Sequence, residues 1–224
     1  NDATAEPMAV EFIELENTIP RIQMMSYHLG EYYFRKQEFG NAQTYYQTTN
    51  IANLSNREIA DMKFHQGYGY FVMQQFTKAK PLFNAIRQLP KDPNYVDANY
   101  YYGFIAFNEK NYPQALESFG IAQKDPEYQN VLPFYMAESY YFKGEQDKAL
   151  EEGEKAIRKT GQFYDLQLNQ LVGHIWFEKK EFAKALPYLE KFVAGKEKVR
   201  REDLYELSFC YYVAKDWPKS IEGF

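Results

Sequence analysis

Residues 30–46 read Gly30-Glu31-Tyr32-Tyr33-Phe34-Arg35-Lys36-Gln37-Glu38-Phe39-Gly40-Asn41-Ala42-Gln43-Thr44-Tyr45-Tyr46. Five positions in this stretch return along the chain at fixed spacing. The first is small: Gly30, Gly67, Gly103, Ala137, Gly173 and Ser208, separated by 37, 36, 34, 36 and 35 residues. Twelve residues after each stands Ala42, Ala79, Ala115, Ala149, Ala185 and Ser220. Spacing inside a copy is constant while spacing between copies drifts, as expected for rigid helical hairpins joined by variable turns. A period of this length signals a stacked array.

The remaining positions are mostly aromatic. Three after the small residue come Tyr33, Tyr70, Ala106, Tyr140, Trp176 and Tyr211; nine after it, Phe39, Phe76, Tyr112, Gln146, Phe182 and Trp217; sixteen after it, Tyr46, Phe83, Phe119, Gly153, Leu189 and Phe224. A small residue and an aromatic at i and i+3 share one helical face. The small residue lets a neighbouring helix come close, and Ala with a large apolar residue at i+4 does the same on the second helix. The intervening turns are short and polar, Lys36-Gln37-Glu38 and Lys179-Lys180-Glu181 among them, and short connections make antiparallel neighbours.

This ordered set of small residue, aromatic, Ala and second aromatic resembles the tetratricopeptide repeat, over about residues 20–224. The resemblance implies an all-α, right-handed superhelical solenoid of about six antiparallel helix hairpins. Residues 1–19 form an N-terminal lead-in segment, and residues 8–17 suit a short leading helix or an extended stretch. Thr18 before Pro20 reads as a helix start, with Thr as its cap. First helices are expected over 20–36, 57–74, 94–109, 128–143, 164–179 and 201–214. Second helices are expected over 39–53, 76–89, 112–124, 146–159, 182–194 and 217–224. Gln146 and Gly153 depart from the aromatic pattern, so the second helix of repeat 4 is expected to pack loosely. Phe224 falls inside the last second helix. No polar capping helix follows it, so the chain reads as a fragment of a longer protein whose uncapped last repeat invites self-association.

Composition narrows function. Net charge is −5, which disfavours phosphate-backbone binding, so no nucleic-acid partner is expected. One cysteine, Cys210, excludes an intramolecular disulfide. No apolar run approaches the ~20 residues of a membrane-spanning helix. His28, His65 and His174 lie in three repeats without metal-ligand spacing and read as surface or packed histidines. Cys210 reads as a small buried thiol, and Glu151, Glu152 and Glu154 as a solvated helix face. Lys196-Glu197-Lys198-Val199-Arg200-Arg201 reads as a solvated turn or, alternatively, a docking spot for an acidic partner. Asn53-Leu54-Ser55 matches a glycosylation acceptor, relevant only in a secretory eukaryotic setting. No catalysis, metal or cofactor is expected.

In the family the first helices line an inner, concave surface. Inward positions lie three before, one after and four after the small residue. The resemblance therefore places Tyr27, Phe34, Phe64, Tyr68, Phe71, Tyr100, Phe104, Phe107, Phe134, Tyr141, Phe177, Tyr205 and Phe209 on a candidate partner-binding groove, with Tyr212 and the polar Glu31, Glu138, Gln170 and His174. Some relatives hold a partner's terminal carboxylate with Lys, Arg and Asn there; aromatic and acidic residues here discount that ligand. The stripe reads either as a groove for an apolar or aromatic protein or peptide segment, or as rings buried between repeats. The function expected is a non-catalytic protein-interaction scaffold. The alternatives are a regulatory repeat region of a larger enzyme or signalling protein, and a groove for a lipid-like or glycan ligand. The long, Tyr-rich, unevenly spaced repeats also look similar to large repeat proteins of Bacteroidetes-type bacteria. That resemblance tilts the expected location towards the bacterial envelope, periplasmic or outer-membrane associated.

Overall fold

The computed structural model describes residues 4–159 and 161–223. Among them are thirteen α-helices and no strand. The chain divides into two compact units, residues 1–105 and 106–224. The first holds α1 (Ala5–Leu15), α2 (Ile19–Arg35), α3 (Phe39–Thr48), a 3-10 turn (Ile51–Asn53), α4 (Asn56–Val72) and α5 (Phe76–Ile86). The division falls within α6 (Tyr95–Asn108). The second unit holds α7 (Tyr112–Ala122), α8 (Leu132–Phe142), α9 (Gln146–Ile157), α10 (Asp165–Glu178), α11 (Phe182–Ala194), α12 (Arg201–Val213) and α13 (Trp217–Gly223). Every expected hairpin helix is present. The helix expected over 39–53 stops at Thr48, and the one expected from 128 begins at Leu132, with Pro133 in its first turn. Phe224 lies outside the described residues.

The lead-in is a helix, α1, packed on the first hairpin. Its Ala9, Val10 and Ile13 rest on a core of Tyr27, Leu29, Tyr33, Ala42, Tyr46 and Met62. Glu6 fastens its start by accepting hydrogen bonds from Lys36 Nζ (2.7 Å), Tyr32 OH (2.6 Å) and Tyr33 OH (2.8 Å). Those bonds, Lys36's first, hold the Glu6 carboxyl down at about 2. Thr18 occupies the cap position of α2, but its side chain makes no capping bond. Its N–H instead donates to Glu16 Oε1 at 2.8 Å. Ser55, within the Asn53-Leu54-Ser55 stretch, closes a capping box with Glu58 at the start of α4.

All six hairpins turn in the same way. The residue seven after the small position takes a left-handed backbone: Gln37 (φ 62°), Gln74 (57°), Lys110 (59°), Gly144 (79°), Lys180 (60°) and Lys215 (62°). The next N–H then reaches back to the carbonyl of the +3 residue, as in Glu38 to Tyr33 (2.9 Å) and Glu181 to Trp176 (2.9 Å). This Schellman closure satisfies carbonyls that the helix end leaves open. Five of the six positions carry a side chain in a conformation that costs roughly 1–2 kcal/mol per non-glycine residue, so packing of the two helices holds the turn.

Packing inside a hairpin is close. A Cβ added at Gly30 would lie 2.5 Å from Cδ1 of the Tyr46 ring. The alanines twelve residues on are buried, as are Tyr46, Phe83, Phe119 and Leu189. Repeat 4 does not pack loosely. A Cβ at Gly153 would stand 2.6 Å from Val172 Cγ2, so α10 of the next repeat has moved into the space an aromatic fills elsewhere. Cys210 is buried beside Ala185, Leu189 and Leu207, and burial pushes its thiol up to about 12. Overpacking typically costs about 1–3 kcal/mol, so Gly153→Ala should lower the unfolding free energy by an amount in that range, read from urea denaturation. Gly40→Ala, where nothing lies within 4 Å, should be neutral or stabilising by up to about 1 kcal/mol. Equal effects at both sites would refute the close approach.

Candidate functional site

The sequence-predicted groove residues separate by burial. Tyr27 and Phe64, both three before a small residue, are buried and belong to the core rather than to an open face. Phe64 meets Phe83 of its own hairpin and Tyr101 of the next (5.9 and 6.3 Å between centroids). Tyr205 is half exposed at 51%. The other ten lie between, each with a covered side and an open edge.

In the first unit the rings interlock from hairpin to hairpin. Phe34 stacks on His65 at 4.0 Å and meets Tyr68 edge-on at 5.9 Å. Tyr68 in turn meets Tyr101 at 5.4 Å, and Phe71 meets the same ring at 4.9 Å. Tyr100 and Phe104 pair along one face of α6. In the second unit Phe107 meets Tyr135, and Phe134 meets Tyr164. Phe177 and Phe209 close a cluster with Phe182 and Tyr205. Edge-to-face geometry of this kind adds about 0.5–1.5 kcal/mol per pair beyond area burial.

A polar rung, invisible to a search for metal or catalytic spacing, runs between adjacent hairpins. The residue one after the small position faces the residue two before the next small position. Glu31 takes His65 Nδ1 at 2.8 Å and accepts from Tyr46 OH at 2.7 Å. The roles reverse in the second unit, where His174 Nδ1 lies 2.7 Å from Glu206. His174 Nε2 sits 3.1 Å from Tyr141 OH and 3.4 Å from Glu178. Burial opposes ionisation of Glu31, but the bonds from His65 and Tyr46 outweigh it and lower its carboxyl below the ordinary value. Among the described residues no group of three or more His, Cys, Asp or Glu is arranged to hold a metal ion.

One further expectation is corrected. Glu154 is not a solvated carboxylate: it is half-buried and accepts from Trp176 Nε1 (2.9 Å) and Tyr188 OH (3.3 Å) of the following hairpin. The basic stretch 196–201 is the solvated turn expected between repeats 5 and 6, with Arg200 forking onto Asp203 at 2.8 and 3.0 Å.

No protein-family model and no curated protein matches the sequence. Solved structures do match. MamA of AMB-1 superposes with a TM-score of 0.64 at 15% identity, over 80% of this chain and 94% of its own. Pseudomonas aeruginosa PilF gives 0.59 at 15% identity, over 90% and 88%. A tetratricopeptide repeat protein of Parabacteroides merdae gives 0.54 at 16% identity, over 98% and 83%. The fold is that of the tetratricopeptide repeat.

Within the tetratricopeptide hairpins of the second unit, His174 carries a pH dependence of its own. The hydrogen bond to Glu206 raises its pKa, burial opposes that, and the charges of Glu206, Glu178 and Asp203 add to the rise. A raised folded-state value contributes stability that is fully present below about pH 6.5, the unfolded value, and is lost as pH rises through the folded value. His174→Gln should therefore destabilise the chain more at pH 6 than at pH 9. Nuclear magnetic resonance should place the His174 midpoint above that of an ordinary histidine and show it falling in Glu206→Gln. A His174 midpoint unmoved by Glu206→Gln would contradict the rung.

Proposed function

We propose that this chain is a non-catalytic protein-interaction scaffold whose first-helix faces grip an apolar or aromatic segment of a partner. The observation that carries the reading is the state of the rings. Ten of the thirteen stripe positions are braced by neighbouring rings yet keep an open edge, and Tyr205 is half exposed. A fully buried stripe would serve packing alone, and free rings would pay rotamer entropy on binding. Interlocked rings with open edges are already ordered, so a partner meets preorganised apolar surface at reduced cost. Aromatic anchors of this type dominate protein interfaces. The polar rungs hold the stripe in place, each histidine in them being engaged by a carboxylate of the adjacent hairpin.

Peptides selected from a random displayed library on the intact chain test this. Tyr68→Glu for the first unit and Tyr205→Glu for the second, each checked by circular dichroism for retained helix, should weaken the selected peptides. Loss of one such anchor costs roughly 2 kcal/mol or more, a factor near thirty. Peptides indifferent to both substitutions would move binding off the first-helix faces and end the reading.

A further inference from the structure

The rung between hairpins is filled differently at each step. Glu31 has His65, Tyr68 has Tyr101, and His174 has Glu206. Between α8 and α10 the same two positions hold Glu138 and Leu171. A carboxylate thus stands where its opposite number offers no hydrogen bond and no charge. Glu138 is half-buried, and no hydrogen-bond or ion-pair partner reaches it among the described residues. Burial alone acts on its carboxyl and pushes the pKa up.

Glu138 and Leu171 line one cavity of about 420 Å³ on the first-helix side of the second unit, together with Phe134, Gln170, His174 and Glu206. Arg200, Asp203 and Glu202 also line it; Glu202 is exposed to solvent, and the two buried or half-buried acids other than Glu138 are engaged. Asp203 holds Arg200 and accepts from Gln170 Nε2 at 2.7 Å, and Glu206 holds His174. Phe134 precedes Glu138 by one turn on the same face of α8. The cavity therefore combines a carboxylate without a partner, an apolar wall of Phe134 and Leu171, and space. An anionic occupant would repel the carboxylate and a purely apolar one would leave it without a hydrogen bond, which is costly in a partly desolvated site; a neutral donor would satisfy the bond but not the charge. A cation on an aliphatic stem satisfies both features, its charge on the carboxylate and its methylenes along the apolar wall.

We propose that this cavity is the subsite for one lysine or arginine side chain of the partner segment, with Glu138 as its ion-pair partner and Phe134 and Leu171 as the wall for its stem. The subsite rests on the reading of the first-helix face as a partner-binding surface and adds the chemistry of one contact to it. The partner segment is then mixed, aromatic or apolar along most of its length with one basic residue opposite α8 and α10.

Two measurements on the intact chain test the subsite and the face separately. In the first, protein labelled with 13C at glutamate side chains is titrated with n-butylammonium chloride at constant ionic strength, with n-butanol as the neutral control. The Glu138 signal should move saturably with the amine and not with the alcohol, and its titration midpoint should fall. Leu171→His restores the kind of partner seen at the other carboxylate rungs; it should lower the Glu138 midpoint without ligand and abolish the response to the amine. No saturable response, or an equal response to butanol, overturns the subsite. In the second, the selected peptides should carry Lys or Arg, and Lys→norleucine or Glu138→Gln should each weaken them about tenfold or more. Peptides sensitive to Tyr205→Glu but without a basic residue, and indifferent to Glu138→Gln, overturn the subsite while the binding face stands. Peptides indifferent to Tyr205→Glu and Tyr68→Glu overturn the face, and the subsite falls with it.

Discussion

The hairpins that begin at Gly30, Gly67 and Gly173 depend on one close approach, the glycine of the first helix lying under the large side chain sixteen positions on. At Gly173 an added Cβ would meet Leu189 Cδ2 at 2.8 Å, much as one at Gly30 would meet the Tyr46 ring at 2.5 Å. Because there is no room to rotate, this contact sets the rotation of the first helix about its own axis. The neighbouring positions are then placed without further choice. The +3 residue offers its carbonyl to the turn, the +1 residue faces the next hairpin, and the +4 residue lies among the rings. Close packing of interiors leaves little slack for any other arrangement. The same constraint holds five turn residues in left-handed backbone although none of the five is glycine.

The array was legible in the sequence because its signal is spacing, and spacing survives substitution of individual residues. Six copies of small, aromatic and alanine positions locate twelve of the thirteen helices, and the polar turns mark the hairpins. The left-handed residue in each turn was hidden because Gln and Lys occupy it as well as Gly144, so local propensity does not point there. Gly153 misled for a related reason. Read alone, glycine where an aromatic is usual means a void, but Val172 closes on it from the next hairpin, which a single-repeat pattern does not encode. The leading helix is another case. Its anchor is Glu6 meeting Tyr32, Tyr33 and Lys36, a contact across some thirty residues with no local signature.

The candidate face was legible in outline only. The positions of the rings followed from the family resemblance, yet an aromatic residue at a given helical position does not declare how much of itself is covered. Tyr27 and Phe64 share chemistry with Tyr205 and Phe209, and they differ only in what the neighbouring helices lay over them. The histidines were read as surface or packed residues; His65 and His174 are half-buried, and each meets a carboxylate more than thirty residues away, in the adjacent repeat. Pairing the +1 position of one copy with the −2 position of the next would have exposed all these rungs from sequence. It would also have shown that Glu138 faces Leu171.

Charge and shape divide their work accordingly. The chain carries a net charge of −5, but along the first helices most acids are turned inward onto partners: Glu31 onto His65 and Tyr46, Glu206 onto His174, Asp203 onto Arg200. A paired acid contributes little to attraction of a ligand at a distance, because its partner cancels its field and solvent screens the remainder. The face therefore presents mainly apolar and aromatic surface, whose attraction is non-directional. Such surface alone sets no register, since an apolar segment slides along it at little cost. Register requires a contact that fails when the segment is displaced. A carboxylate left unpaired in a partly desolvated recess is such a contact, because displacing a cation from it restores the full cost of the unsatisfied charge. On the proposed reading, the unpaired Glu138 rather than the broad aromatic stripe would then set selectivity between partners.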